Sequence, residues 1–210
     1  MRAAHRFLGA SCCALLLGMS ARPAAADPWL GPGDVALRHD IELLADAGIL
    51  RTPVTTWPIS WPDVARDVLA EGASVARHPP AIQDALMRVG RAARASAAPG
   101  SSGIGLMAAV AADPTEFRRF SDTPREEAEL AVGASWLGER FAGAVRVEVV
   151  GGDPADRKTL RLDGSYLGVT VGNFMISAGA MDRWWGPGWD GSLILSSNAR
   201  PIPGLTVERN

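Results

Sequence analysis

The chain has 210 residues, with 21 Lys and Arg against 23 Asp and Glu, a formal charge of −2. That length holds one domain, or a small domain plus part of another. The mild acidity excludes nucleic acid as a partner, which would call for a basic face.

Residues 1–26 read as a secretory signal peptide: Arg2 and Arg6, a short apolar run from Phe7 to Met19, then Ala24-Ala25-Ala26 before Asp27. The run is shorter than the roughly 20 apolar residues of a membrane-spanning helix. Removing it takes away three arginines and no acid, so the charge moves from −2 to −5. Both cysteines, Cys12 and Cys13, leave with it, so disulfide and thiolate-metal chemistry fall away. A lipoprotein anchor at Cys12 is disfavoured, because most of the apolar run follows that residue.

Residues 27–98 read as helical. Asp34 is placed to cap a first helix with Val35, Leu37, Ile41, Leu44 and Ala45 on one stripe, and Gly48 to stop it. Ser60 caps a second helix with Pro62 in its first turn and Val64, Val68 and Leu69 as its apolar side, and Trp57 and Trp61 cover the pair. Pro79-Pro80 starts a third, about Ala81 to Ala95, with Arg88, Arg91 and Arg94 as a solvated face. The first two helices and their loop resemble the surface-layer-homology pattern, which implies a cell-wall polymer as a partner for this segment.

From residue 103 to 210 the period changes from helix to strand. Ala144, Arg146 and Glu148 alternate with Val145, Val147 and Val149, and similar segments run over 104–112, 127–137, 159–171, 174–181 and 205–210. Gly172-Asn173 marks a hairpin. One apolar and one polar face per strand suits a transmembrane barrel, and equally a half-buried soluble sheet.

The stretch from Asp182 to Gly204 carries the densest chemistry. Trp184, Trp185 and Trp189 lie among Gly186, Pro187, Gly188 and Gly191, a structured loop whose glycines leave the indoles uncovered. Asp182, Arg183, Asp190, Asn198 and Arg200 add charge and hydrogen-bonding groups. Flat aromatic faces beside planar polar groups suit a saccharide. Asp182 and Asp190 could pair with Arg183 or Arg200, or serve as the two carboxylates of a glycosidase. Asp163 and Tyr166 are secondary candidates that reach one side only if the chain bulges at Gly164. His5, His39 and His78 are scattered; no metal-ligand spacing, nucleophile elbow or phosphate loop is present. No cofactor is called for.

Asp182-Arg183-Trp184-Trp185-Gly186-Pro187-Gly188, Gly191-Ser192-Leu193-Ile194-Leu195-Ser196 and Asn198-Ala199-Arg200-Pro201 together resemble the signature of the capsule-assembly (Wzi) family. The resemblance extends more weakly to Leu160–Gly168 and Asp40–Gly48. It implies a mainly β fold with a small N-terminal α segment: part of an antiparallel outer-membrane β-barrel preceded by a short, periplasmic helical bundle. It further implies a non-enzymatic, lectin-like role in capsular polysaccharide assembly and attachment, with polysaccharide and outer-membrane lipid as partners. Asp182, Arg183, Trp184, Trp185, Trp189, Asp190, Asn198 and Arg200 would then line the lumen or bind glycan. About six strands fall short of the eight or more of a closed bacterial barrel, so the chain is expected to be the N-terminal part of a longer protein. The alternatives are a periplasmic carbohydrate hydrolase using Asp182 and Asp190, and a soluble periplasmic interaction module.

Overall fold

The computed structural model describes residues 19–21, 26–115, 117–151, 160–192 and 194–209. The leader expected at 1–26 lies outside the described residues, apart from Ala26 and a strand, β1 (Met19–Ala21). After β2 (Trp29–Leu30) comes α1 (Val35–Asp46), capped as expected: the Asp34 carboxylate accepts from Leu37 N at 3.0 Å. Gly48 follows with φ +72°, which lets the chain turn away from the helix axis.

β3 (Thr56–Trp57) and β4 (Ile59–Ser60) lead to α2 (Trp61–Ala70), where Ser60 Oγ accepts from Asp63 N at 3.3 Å. α3 (Pro80–Ser96) packs against both other helices. Ile41, Leu44, Val64, Val68, Leu86 and Val89 form the shared core. One member of the basic cluster on α3 is not simply solvated: Arg88 grips Asp40 of α1 through two bonds of 2.7 Å.

The β half is one antiparallel sheet built from β5 (Ser101–Val110), β6 (Ala128–Leu137), β7 (Phe141–Gly151), β8 (Leu160–Arg161), β9 (Tyr166–Val171), β10 (Phe174–Gly179) and, beyond the two-residue β11 (Trp184–Trp185), β12 (Gly204–Arg209). The order is β1-β5-β6-β7-β9-β10-β12, with β8 also on β7, so the described sheet is open. The hairpin expected at Gly172-Asn173 joins β9 to β10, pairing Val171 with Phe174. The single strand expected over 159–171 is instead two. The chain breaks at Asp163–Ser165, where Gly164 has φ +84° and donates from its N to Ala180 O at 2.7 Å.

Alternation gives the sheet two opposite faces. Leu106, Val132 and Val147 form a continuous row across β5, β6 and β7, all exposed, and Ile104, Leu167 and Val207 extend the same apolar face. The other face carries Glu129, Glu148, Arg161 and Ser177, all buried. A soluble sandwich would have the reverse. Among the described residues no helix is long and apolar enough to cross a membrane.

The helical half covers the polar face. Trp29 packs edge-on to Tyr166 with ring centroids 5.0 Å apart, and its Nε1 donates to Glu208 at 2.8 Å. A Cβ at residue 168 would stand 3.2 Å from this indole, so Gly168 makes room for it. The Tyr166 hydroxyl donates to Asp27 at 2.9 Å. Phe120, between β5 and β6, and Trp184 enter the helical core. Helices and strands therefore share cores, and the texture change near residue 100 marks no gap in packing.

Burial pushes the Asp27 carboxyl up to about 6 from its ordinary 3.8, against the N–H of Trp29 and the Tyr166 hydroxyl, which stabilise the charged form. The folded state therefore binds this proton more tightly than the unfolded chain. The stabilising contribution is full below pH 3.8 and is lost as pH rises through about 6. Relative to Asp27→Asn, the wild type should lose on the order of 2 kcal/mol between pH 4 and 7, read from urea midpoints. A constant difference between the two proteins would contradict this.

Candidate functional site in the tryptophan loop

The segment between β10 and β12 folds back over the helical half. β11 pairs antiparallel with β3, setting Trp184 opposite Trp57 and Trp185 opposite Thr56. Because neighbours on a strand face opposite ways, the two indoles have different fates. Trp184 is wholly buried, and its Nε1 donates to Gly188 O at 3.0 Å. It packs edge-on to Phe120, which packs in turn on Trp57, with centroids 5.6 Å and 4.9 Å apart. The expectation that the glycines leave all the indoles uncovered fails at Trp184, which is an anchor sealed in the core. Trp185 and Trp189 are half-buried.

Trp189 is held by a residue that sequence reasoning did not single out. The side chain of Arg38 on α1 is fully buried, its guanidinium carbon 4.3 Å from the Phe120 ring centroid and 4.5 Å from that of Trp189. Its Nε meets Glu42 at 2.7 Å and its Nη2 donates to Pro187 O at 2.8 Å. Its Nη1 is buried without a hydrogen-bond partner, so the flanking π faces supply part of what water would have given it. The backbone follows the same path, since Phe120 N donates to Trp189 O at 2.9 Å. One cation thus ties α1, the β5–β6 loop and the tryptophan loop together. A signal existed: Arg38 falls three residues before Ile41 on the buried stripe of α1, a charge on an apolar face. Phe120, in an aperiodic stretch that also holds Phe117, gave none.

The polar candidates find partners, but not the expected ones. Asp182 pairs with Arg125 at 3.3 Å and Asp190 with Arg119 at 3.3 Å, rather than with Arg183 or Arg200. Arg183 donates to Thr206 Oγ1, and Arg200 grips Asp163 through bonds of 2.8 and 3.0 Å. The sequence spacing of these groups could not reveal Arg119 and Arg125, which arrive on a different loop. Asn198 Oδ1 accepts from Arg118 N, and its backbone carbonyl accepts from Arg125 at 2.8 Å. Tyr166 turns instead to Asp27, so it does not join Asp163.

Burial raises the Asp182 carboxyl above its ordinary range in spite of Arg125 and Arg118, and burial lowers Arg125, helped by neighbouring Arg118. Asp190 is exposed, on an ion pair open to solvent. The two carboxylates proposed as a hydrolytic pair are thus engaged by different arginines in different surroundings. Among the described residues no group of three or more His, Cys, Asp or Glu could hold a metal ion.

Comparison with known proteins follows the same residues. The model of the family described as capsule assembly protein Wzi matches residues 100–210. An uncharacterised 55.8 kDa protein in the cps region of Klebsiella pneumoniae is 27% identical over 197 residues, 93% of this chain and 37% of that one. A solved structure is similar with a TM-score of 0.66 and 25% identity, over 86% of this chain and 40% of the other. It is described as Wzi, an outer membrane protein involved in group 1 capsule assembly in Escherichia coli and a carbohydrate-binding β-barrel. The chain spans about two fifths of the length of these relatives.

Replacing Arg38 by Ala removes the cation but leaves Glu42 and the Pro187 carbonyl without it. The expected loss is on the order of 3 kcal/mol, with Trp189 becoming accessible to acrylamide quenching. Arg38→Lys should recover only part, because an ammonium lacks the flat face that lies between two rings. Unchanged quenching and stability in Arg38→Ala would remove the clamp from this account.

Proposed function

The chain belongs to the capsule assembly protein Wzi family, and on that premise we propose that it forms part of an outer-membrane β-barrel that binds capsular polysaccharide and helps hold it at the cell surface. The observation that carries this reading is the sheet's inverted polarity. Its exposed face is apolar across β5, β6 and β7, and its charged residues are buried, Glu129 and Arg161 against the loop before β6. Lipid satisfies the first face, and a filled lumen satisfies the second.

Orientation follows from the connections. The turns at 138–140 and 172–173 are short, and the segments 111–127 and 180–203 are long. Outer-membrane barrels keep short turns on the periplasmic side and long loops outside. The helical segment, 27–98, enters β5 at the short-turn end, where Gly100 N donates to Leu137 O at 2.6 Å. It fills the lumen from the periplasm, and the tryptophan loop meets it from the opposite side. Saccharide is bound on the surfaces of that loop still open, Trp185 foremost, and the exposed Asp190 on the same loop. Trp184 and Arg38 hold the loop in shape. Trp57 and Trp61 are both buried in the helical core, so a cell-wall polymer is left out of the proposal.

The hydrolase reading gains nothing from the geometry, since Asp182 and Asp190 answer to separate arginines.

Two substitutions on the exposed face test the premise. Val132→Arg or Val147→Arg should lower folding stability in lipid vesicles by roughly 2–4 kcal/mol if the site is near the bilayer midplane. Ser135→Arg, on the opposite face of β6, should not show this dependence on lipid. Equal effects with and without lipid would refute the membrane reading. In cells, capsule retention should fall when Trp185 is replaced by Ala in a protein that still reaches the outer membrane.

A further inference from the structure

Beside Trp185 lies an open groove of about 340 Å³, lined by Thr55, Thr56, Trp185, Gly186 and Ile194. We infer that this groove is a subsite for one neutral pyranose ring of the bound polysaccharide, with the Trp185 indole as its stacking face and the Thr55 and Thr56 hydroxyls as its polar contacts. The inference rests on the glycan-binding reading above and names the ring that the loop holds.

Three observations carry it. The platform is rigid before any ligand arrives. Trp185 N donates to Leu195 O at 2.8 Å, Gly186 N donates to Thr55 O at 2.8 Å, and Ser192 Oγ donates to Trp185 O. The Trp185 backbone is thereby bonded on both sides, and little freedom is left to lose on binding.

The same platform depends on one glycine. Gly186 has φ +150°, and a Cβ there would lie 3.2 Å from Ser192 Oγ. Any other residue would be strained and would disturb the serine that fixes Trp185.

The lining decides the ligand class. Among the described residues none that lines the groove is charged; the lining is one tryptophan, two threonines, a glycine and Ile194, which is 74% exposed. A uronate or phosphate would bring a charge that nothing in this lining neutralises. A neutral ring offers apolar C–H faces for the indole and hydroxyls for the threonines. The volume is near the small end of ligand pockets, so one ring is held here and the polymer continues into solvent.

The test uses the full chain in detergent micelles and four probes: glucose, galactose and mannose trisaccharides, and trigalacturonate. Isothermal titration should show at least one neutral trisaccharide binding about tenfold or more tightly than trigalacturonate. Trp185→Ala should weaken that binding at least about tenfold. Thr55→Val with Thr56→Val, which keep the side-chain shape at two exposed positions, should weaken it about 2- to 10-fold and decides the matter if the tryptophan variant does not fold. Preference for trigalacturonate, wild-type binding in the threonine variant, or no binding of any neutral probe would overturn the subsite. The broader reading is judged separately, by capsule retention in cells: retention that depends on the protein but not on Trp185 would leave the role in holding capsule standing, and sink this inference together with the part given to Trp185.

Discussion

A sheet that turns its valines and leucines outward and its glutamates and arginines inward constrains everything packed against it. In water the exposed row through Leu106, Val132 and Val147 would favour association with other apolar surface. The buried row is the harder problem, because charges withdrawn from water need partners at short range. Arg146 lies 3.8 Å from Glu148, and Arg161 meets Glu126 at 2.6 Å. Glu129 accepts the backbone N–H groups of Arg125 and Glu126. The helical half and the long loops supply what the sheet cannot, and their packing inside the curve is a consequence of the sheet's polarity.

Arg38 is where that filling is locked. A guanidinium between two aromatic rings, with Glu42 at one nitrogen and the Pro187 carbonyl at another, fixes three segments far apart in sequence. The tryptophan loop is therefore not a free arm. Its buried half, Trp184, and its clamped ring, Trp189, hold the half-open Trp185 at a set position beside Thr55 and Thr56. On the proposed function, structural and recognition roles divide between adjacent residues of one two-residue strand.

What was legible in the sequence was local. Asp34, Ser60, Gly48 and the Gly172-Asn173 hairpin stood out because caps and turns are decided within a few residues. The alternation of Arg146 and Glu148 with Val147 and Val149 was equally plain, yet it could not say which face would be covered, since both a barrel and a soluble sheet satisfy it. Trp184 and Trp185 were indistinguishable for the same reason: parity along a strand becomes burial only when the partner strand, here Thr56–Trp57, is known. The partners of Asp182 and Asp190 were missed because Arg119 and Arg125 come from a loop more than fifty residues away.

The account turns on lipid outside and protein inside, and the sheet's own alternation makes that measurable. The only cysteines are Cys12 and Cys13, so a chain with both replaced accepts single cysteines for spin labels at successive positions from 130 to 136 on β6. Paramagnetic relaxation by oxygen, which concentrates in lipid, and by a water-soluble nickel chelate should then be compared in bilayers. The account predicts oxygen accessibility peaking at 130, 132, 134 and 136 and nickel excluded from those positions. Equal exposure of odd and even positions to nickel would contradict it.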